Sequence, residues 1–260
     1  MRIALAADLH FGSVPEGLAE ALKEAIESQE PEVIVIAGDL TLRARRSEFA
    51  LARAWLLSLA VPALVLPGNH DLPYWNLLQR FASPFRRYRL AAGASNLMPV
   101  VQLEGGVVLG FNTTRSWQPH LQWQEGVARV RDIEAAEKIL SASPPGQFKA
   151  IAAHHPFLKI PGVPRAKPIR RASLALQMLA ASGVNIVMSG HVHQSFAVES
   201  VAAGQPIVAI GAPTALSTRM RGEPNGFWII AGEKDVIACT LWLRSGMRFE
   251  PSVEKLFRRS

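Results

Sequence analysis

Short, unbroken apolar runs alternate with longer stretches of helical spacing over the first third of the chain. Ile3 to Ala7, Val33 to Ala37 and Ala63 to Leu66 each have the length and composition of a strand buried on both faces. Between them, Glu16 to Gln29 carries apolar residues at Leu18, Ala21, Leu22, Ala25 and Ile26, which is the spacing of one helix face. Ser47 to Leu59 predicts a second helix, with Ser47 as its N-cap. This βαβαβ order implies a parallel sheet covered by helices. Further along, the pattern predicts a helix or helical turn over Asp71 to Ala82, strands at Met98 to Leu103 and Val107 to Phe111, and a helix over Asp132 to Leu140. A strand at Ala150 to Ala153, a helix over Ala172 to Ser182 and a strand at Val184 to Ser189 follow. From Gln205 onward strands dominate, at Pro206 to Ile210, Phe227 to Ala231 and Val236 to Leu243, so this end reads as a mainly antiparallel second sheet. No internal repeat and no low-complexity segment interrupts the pattern.

Composition changes this picture little. A chain of 260 residues, 49% apolar and 19% charged, suits one globular domain spanning residues 1–260. The single cysteine, Cys239, excludes an internal disulfide and reads as a small buried apolar residue. The apolar run after Met1 is too short for a signal peptide and ends at Asp8, and no unbroken apolar stretch reaches membrane-spanning length. A cytoplasmic location is the default expectation. The formal net charge of +7 favours an anionic partner such as a phosphate ester, nucleic acid or an anionic lipid surface.

The chemistry-bearing residues collect at the C-terminal ends of the predicted strands. These ends carry Asp8-Leu9-His10, Gly38-Asp39, Gly68-Asn69-His70-Asp71, His154-His155 and Gly190-His191-Val192-His193. Of seven histidines, all but His120 lie in these loops. Ligands of open α/β sheets bind just outside the carboxyl ends of the strands. Carboxylate, imidazole and amide oxygen together suit borderline or hard divalent metals. In an extended segment residues i and i+2 project to the same side, so Asp8 with His10, and His191 with His193, are expected to aim in pairs into one pocket. The glycines before Asp39, Asn69 and His191 suit sharp turns or close backbone approach. Each element alone is weak; five at successive strand ends make a joint signal.

In this order the motifs resemble those of the calcineurin-like metallophosphoesterase superfamily, and the resemblance runs from Met1 to His193. Within the superfamily, His154-His155-Pro156 and the expected compact single domain are most similar to the bacterial class III cyclic-nucleotide phosphodiesterases. The resemblance implies an α/β fold: a four-layer α/β/β/α sandwich of two mixed sheets flanked by helices, with a dimetal site at the strand C-terminal ends. It implies one metal held by Asp8, His10, Asp39 and His193, and a second held by Asp39, Asn69, His154 and His191. His70 would contact the phosphate or the leaving-group oxygen, with Asp71 either orienting it or serving as an N-terminal helix residue. His155 is expected to be structural or to lie at the rim. The ions would be manganese, iron, zinc or cobalt, with manganese or an iron/manganese pair favoured. The implied reaction is hydrolysis of a phosphodiester by a hydroxide bridging the two metals, with 3′,5′-cyclic nucleotides as one candidate substrate.

Other readings stay open at this point. The basic charge suits a nuclease, although no separate nucleic-acid-binding domain is evident. A phospholipid or nucleotide-sugar-lipid hydrolase is a third, with the basic stretch Lys255 to Arg259 as its lipid contact. A non-catalytic scaffold of the same fold is a fourth, opposed by the complete set of ligand positions. Arginine clusters at Arg43, Arg45 and Arg46, at Arg86, Arg87 and Arg89, at Arg165, Lys167, Arg170 and Arg171, and at Arg219 and Arg221 are candidates for the site rim. Asn112 to Arg115 is a candidate pocket edge, and Tyr74, Trp117 and Trp123 are candidates to stack on a base or sugar. The segment Asn76 to Phe85 and the C-terminal strands are candidate subunit interfaces, and the oligomeric state is open.

Overall fold

The structure is a computed structural model of the chain, and it describes every residue except 75, 118–123, 145, 165 and 260. Two of the candidates above, Trp123 and Arg165, lie outside the described residues.

Two six-stranded sheets form the centre. The first has β1 (Arg2–Ala6), β2 (Val33–Ile36) and β3 (Ala63–Val65) in parallel, and β10 (Gly226–Glu233), β11 (Val236–Ser245) and β12 (Arg248–Arg258) antiparallel, in the order β12-β11-β10-β1-β2-β3. The second orders β4 (Val100–Leu103), β5 (Gly106–Gly110), β6 (Phe148–Ala152), β7 (Ile186–Ser189), β9 (Gln205–Gly211) and β8 (Phe196–Ala202), with β4 and β8 as its antiparallel edges.

Alternation along the strands builds the layers. Ile3, Leu5, Val33 and Val35 point inward and meet Val108, Ala150, Ile186 and Met188 of the second sheet in one core. Ala4, Ala6, Ile34 and Ile36 point outward onto α1 (Leu18–Glu27) and α2 (Arg46–Ser58). On the opposite side, Val107, Leu109 and Ile151 pack on α5 (Val130–Ser141) and α6 (Ala172–Ala181). Both faces of the central strands are therefore dry, which is why they read as unbroken apolar runs. The buried Trp228 indole of β10 donates to the Gly211 carbonyl of β9 at 2.9 Å, tying the two sheets together.

The two-sheet α/β arrangement agrees with expectation, and four local details differ. The C-terminal strands do not form a sheet of their own. β10 pairs with β1, opposing Ile3 to Ile230, so β10 to β12 extend the first sheet, while β9 joins the second sheet parallel to β7. Which sheet a strand joins is a long-range choice that its own apolar pattern does not encode. Second, the helix expected over residues 71–82 is a 3₁₀ turn at Asn69–Asp71, then α3 (Leu77–Ala82). Pro73 disfavours helical backbone before it, and the Asn76 side chain restarts the helix by accepting from the Gln79 amide at 2.9 Å. Third, α4 (Arg86–Ala92) occupies a stretch for which the apolar pattern predicts no element, anchored where the Tyr88 hydroxyl donates to the Val65 carbonyl at 2.7 Å. Fourth, α2 starts at Arg46, one residue before the expected Ser47 cap. The Glu48 carboxylate supplies the capping contacts by accepting from the Arg43 and Arg45 amides at 2.8 and 3.1 Å.

The stretch Lys255 to Arg259 is not a free basic tail. It closes β12 at the sheet edge, with the Lys255 ammonium on the Ala197 carbonyl at 2.9 Å and the Arg259 guanidinium 4.1 Å over the Phe148 ring. Leu256 and Arg258 of the same stretch remain exposed.

Cys239 lies in the core between the sheets, and burial pushes its thiol up to about 12. Native protein is therefore expected to leave a disulfide reagent unreacted at neutral pH, with one equivalent labelled after unfolding. Rapid labelling of folded protein would contradict this packing.

Candidate metal centre

The strand-end loops of both sheets meet at one edge of the sandwich. Asp8 and His10 follow β1, Asp39 follows β2, Asn69 and His70 follow β3, His154 and His155 follow β6, and His191 and His193 follow β7. Backbone bonds lock neighbouring loops, with the Asp8 amide on the Gly38 carbonyl and the His10 amide on the Asp39 carbonyl, both at 3.0 Å. Side chains link the two sheets. The His191 amide donates to Asp8 Oδ2 at 2.9 Å, and His154 Nδ1 meets the Ala37 carbonyl at 2.8 Å.

Two donor sets result. In the first, one ligand atom each from Asp8, His10, Asp39 and His193 lies within 4.8 Å of the others. His10 Nε2 is 3.3 Å from His193 Nε2, and Asp39 Oδ2 is 3.7 Å from His10 Nε2. In the second, Asn69 Oδ1 lies 3.1 Å from His154 Nε2 and 3.2 Å from His191 Nδ1, and Asp39 Oδ1 is 3.5 Å from His154 Nε2. Asp39 thus turns one carboxylate oxygen toward each set. His155 also lies within 4.8 Å of His154 and His191. Both of its ring nitrogens are engaged, by the Thr113 hydroxyl and the Gln124 carbonyl, each at 2.8 Å. It therefore supports the wall, and Asn69 and Asp39 complete the second set.

The chemistry of these sets fits cations. His10, His154 and His193 each direct Nδ1 at a backbone carbonyl, of Thr41, Ala37 and Arg219 respectively, which places a proton on Nδ1 and turns Nε2 inward. Asp8 Oδ1 is buried with no aligned hydrogen-bond donor, although His193 Nε2 lies 3.3 Å away. Inward-facing lone pairs and an unsatisfied carboxylate oxygen are the demand that a divalent cation meets. Burial, then His154 and other histidines, pushes His191 down to about 4, and burial likewise pushes His10 down to about 4. Both are held neutral, as ligands must be. Burial opposes ionisation of Asp8, but His193 and its other histidine neighbours outweigh burial and hold the carboxyl below its usual range. The opposite balance acts on His193, where Asp8 outweighs burial and raises the imidazolium to about 9.

The backbone is strained to reach this geometry. Asp8, His10, Asp39, His191 and His193 have φ of 55°, 47°, 55°, 70° and 58°. Left-handed backbone disfavours such residues by about 1 kcal/mol each, and clusters of it mark functional sites. The pairs expected to project together from extended segments are therefore left-handed instead. His191 and His193 separate, one to each donor set. Gly68 is required by space, since a Cβ there would sit 2.0 Å from Asp39 Oδ1.

His70 stands over the first set, its ring edge-on to His10 at 4.8 Å. Nδ1 meets the Leu42 carbonyl at 2.7 Å, and Nε2 faces the Arg219 guanidinium at 3.4 Å. The Leu42 carbonyl, rather than Asp71, therefore orients this ring. Asp71 is fully buried and accepts from the Gly68, Leu40 and Thr41 amides at 2.9, 3.2 and 2.9 Å and from the Thr41 hydroxyl at 3.0 Å. It braces the loops that carry Asp39 and Asn69 and does not face the site. Burial and then Asp39 raise its carboxyl to about 6 despite those amides.

Two clefts flank the centre and share Asn69, His70, Gln124 and Arg219. One, of about 580 Å³, is walled by Leu42, Leu72, Tyr74, Arg43 and Arg80. The other, of about 440 Å³, is walled by Lys167, Arg221 and the site histidines. Of the arginine clusters considered, Arg43, Lys167, Arg219 and Arg221 reach a cleft. Asn112 to Arg115 do not form its edge. They are buried behind it, with Thr113 supporting His155, Thr114 bonded to the Pro67 carbonyl and Arg115 paired to Asp132 at 2.9 Å. Sequence reasoning missed the carbonyls that orient the histidines, which carry no residue-type signal, and the part played by Gln124 and Arg80 in the cleft walls.

Residues 1–195 match the family model described as calcineurin-like phosphoesterase. The chain belongs to that family. A protein of Synechococcus sp. named as a probable cyclic nucleotide phosphodiesterase is 26% identical over 212 residues, covering 75% of this chain and 74% of the relative. The fold of a dimetal phosphatase from Danio rerio matches all of this chain and 99% of that one, with a TM-score of 0.71 at 12% identity. A purple acid phosphatase from yellow lupin matches with a TM-score of 0.65 at 13% identity, covering 100% of this chain and 54% of its own. This phosphoesterase is a phosphoric ester hydrolase, and its histidine and aspartate cluster is the metal-binding feature expected of that chemistry.

Asp71→Ala would leave three buried amides without acceptors, at about 1–3 kcal/mol each. We expect the urea midpoint of the metal-free variant to fall by the equivalent of roughly 3 kcal/mol or more. An unchanged midpoint would remove the bracing role.

Proposed function

We propose that this phosphoesterase is a two-metal phosphodiesterase, with 3′,5′-cyclic nucleotides as its first candidate substrates. The observation that carries the proposal is Asp39, whose two oxygens face two adjoining donor sets. In this reading Asp8, His10, Asp39 and His193 hold one ion, and Asp39, Asn69, His154 and His191 hold the other. Nitrogen and oxygen donors without sulfur suit manganese or an iron/manganese pair. Held there, two such ions would supply charge to polarise the phosphate oxygens and to lower the pKa of water towards about 7.

The rest of the work falls to the protein's own side chains. Hydrolysis adds water across the P–O bond, so the departing oxygen must gain a proton. His70 keeps its Nδ1 proton on the Leu42 carbonyl and presents Nε2 to the cleft. Protonated there, it donates to a phosphate oxygen or to the departing alkoxide. Arg219, beside His70, supplies positive charge for the same oxygens. The flanking clefts leave room for both substituents of a diester, and Tyr74 offers a ring face to one of them. The name of the Synechococcus relative supports the cyclic-nucleotide reading. Residues 1–260 act as one catalytic domain in this proposal, a reading supported by the pairing of β10 with β1.

Metal-stripped protein resupplied with Mn²⁺ is expected to hydrolyse bis-p-nitrophenyl phosphate faster than p-nitrophenyl phosphate. Asp39→Ala should abolish turnover and lower bound metal. His70→Ala should retain metal but lose roughly a hundredfold or more in kcat. Monoester preference would redirect the assignment to phosphatases, and full activity in His70→Ala would remove its assigned role.

A further inference from the structure

Helix α3 is inverted relative to the logic of a soluble surface. Its charged residue points in and its apolar residues point out. Arg80 is 4% exposed, with Nε on the Ser116 carbonyl at 2.8 Å and Nη1 on the Pro73 carbonyl at 3.1 Å. Leu77, Leu78 and Phe81 are 53%, 86% and 59% exposed. Positions 77, 78 and 81 fall within about 100° of the helix circumference, so they form one outward apolar ridge. Tyr74, at the start of the same segment, is 56% exposed.

The surroundings are cationic. From Leu40 to Leu103 the sequence has eight arginines and two carboxylates, Glu48 and Asp71, and both carboxylates are buried. Arg86 and Arg89 of α4 are exposed, and Arg87 lies close enough to Arg46 and Arg86 that, after burial, their charges lower its guanidinium from its usual value. Protruding apolar side chains on one helix, followed by exposed arginines at Arg86 and Arg89 on the next, are the recognition chemistry of an anionic lipid surface.

We propose that α3 and the arginines of α4 seat this phosphoesterase on an anionic membrane surface. Charge decides against a second copy of the chain, because a two-fold contact through this face would set the arginines against themselves. A fluid lipid layer also receives single protruding side chains, such as Leu78, without a complementary pocket. Tyr74 and Arg80 belong both to this segment and to the wall of the larger cleft, so a surface seated here brings its head groups to the mouth of the active centre.

The test is co-sedimentation of the full chain with vesicles of phosphatidylcholine alone or mixed equally with phosphatidylglycerol. Binding is expected to the mixture only, and to weaken with added salt. The double variant Leu78→Glu with Phe81→Glu should lose roughly tenfold or more of that binding. Arg86→Gln with Arg89→Gln should lose about fivefold per charge removed. Both should keep the wild-type melting temperature and bis-p-nitrophenyl phosphate turnover, since none of these residues lines the centre. The proposal is overturned if wild type ignores the mixed vesicles, if the Leu78/Phe81 variant binds them as wild type does, or if wild type is a dimer that this variant dissociates. Vesicle binding by a protein inactive on every diester would sink the phosphodiesterase assignment and leave this one standing.

Discussion

The arrangement turns on Asp39. One carboxylate serves two donor sets, with Oδ2 near His10 and Oδ1 near His154, while the His70 amide donates to Oδ1 at 2.9 Å. Burial alone would favour its neutral acid. The imidazoles of His154, His70 and His10 outweigh that tendency and keep the carboxyl below its ordinary value. Everything that holds Asp39 in place therefore acts on both sets at once. Gly68 leaves the space it occupies, and the Asp71 brace fixes the loops on either side.

Such a site is unfavourable to fold around. It gathers buried carboxylates and inward-facing lone pairs on left-handed backbone, each of which opposes stability. The two sheets offset this with a dry core on both faces. Rigid parallel strands end together at one edge, and the short loops that follow have little freedom to relax. The resulting preorganisation serves a reaction whose charge develops on phosphate oxygens.

Cations reach beyond the centre. Arg43, Lys167, Arg219 and Arg221 line the flanking clefts, and Arg86 and Arg89 of α4 are exposed. Substrate attraction and surface attachment thus draw on the same net charge of +7. In the equally basic Lys255 to Arg259 stretch, Lys255 and Arg259 are held by the Ala197 carbonyl and the Phe148 ring, while Arg258 stays exposed.

Much of this protein was legible before any coordinates. Ile3 to Ala7 and Val33 to Ala37 had to be doubly buried strands because no polar residue interrupts them, and the polar residues at their ends had to lie where loops converge. All the donors now seen facing one another, from Asp8 to His193, were named from that logic and from the family motifs. What the sequence could not decide was long-range or carried by backbone atoms. No local pattern says that β10 pairs with β1 rather than founding a new sheet. No residue type announces that the Leu42 carbonyl, not Asp71, orients His70. Nor does spacing reveal that Asp8, His10, His191 and His193 stand on left-handed rather than extended backbone. Residue chemistry and local periodicity are written along the chain, whereas the choice of partner for a strand end, a carbonyl or a carboxylate is settled by packing in three dimensions.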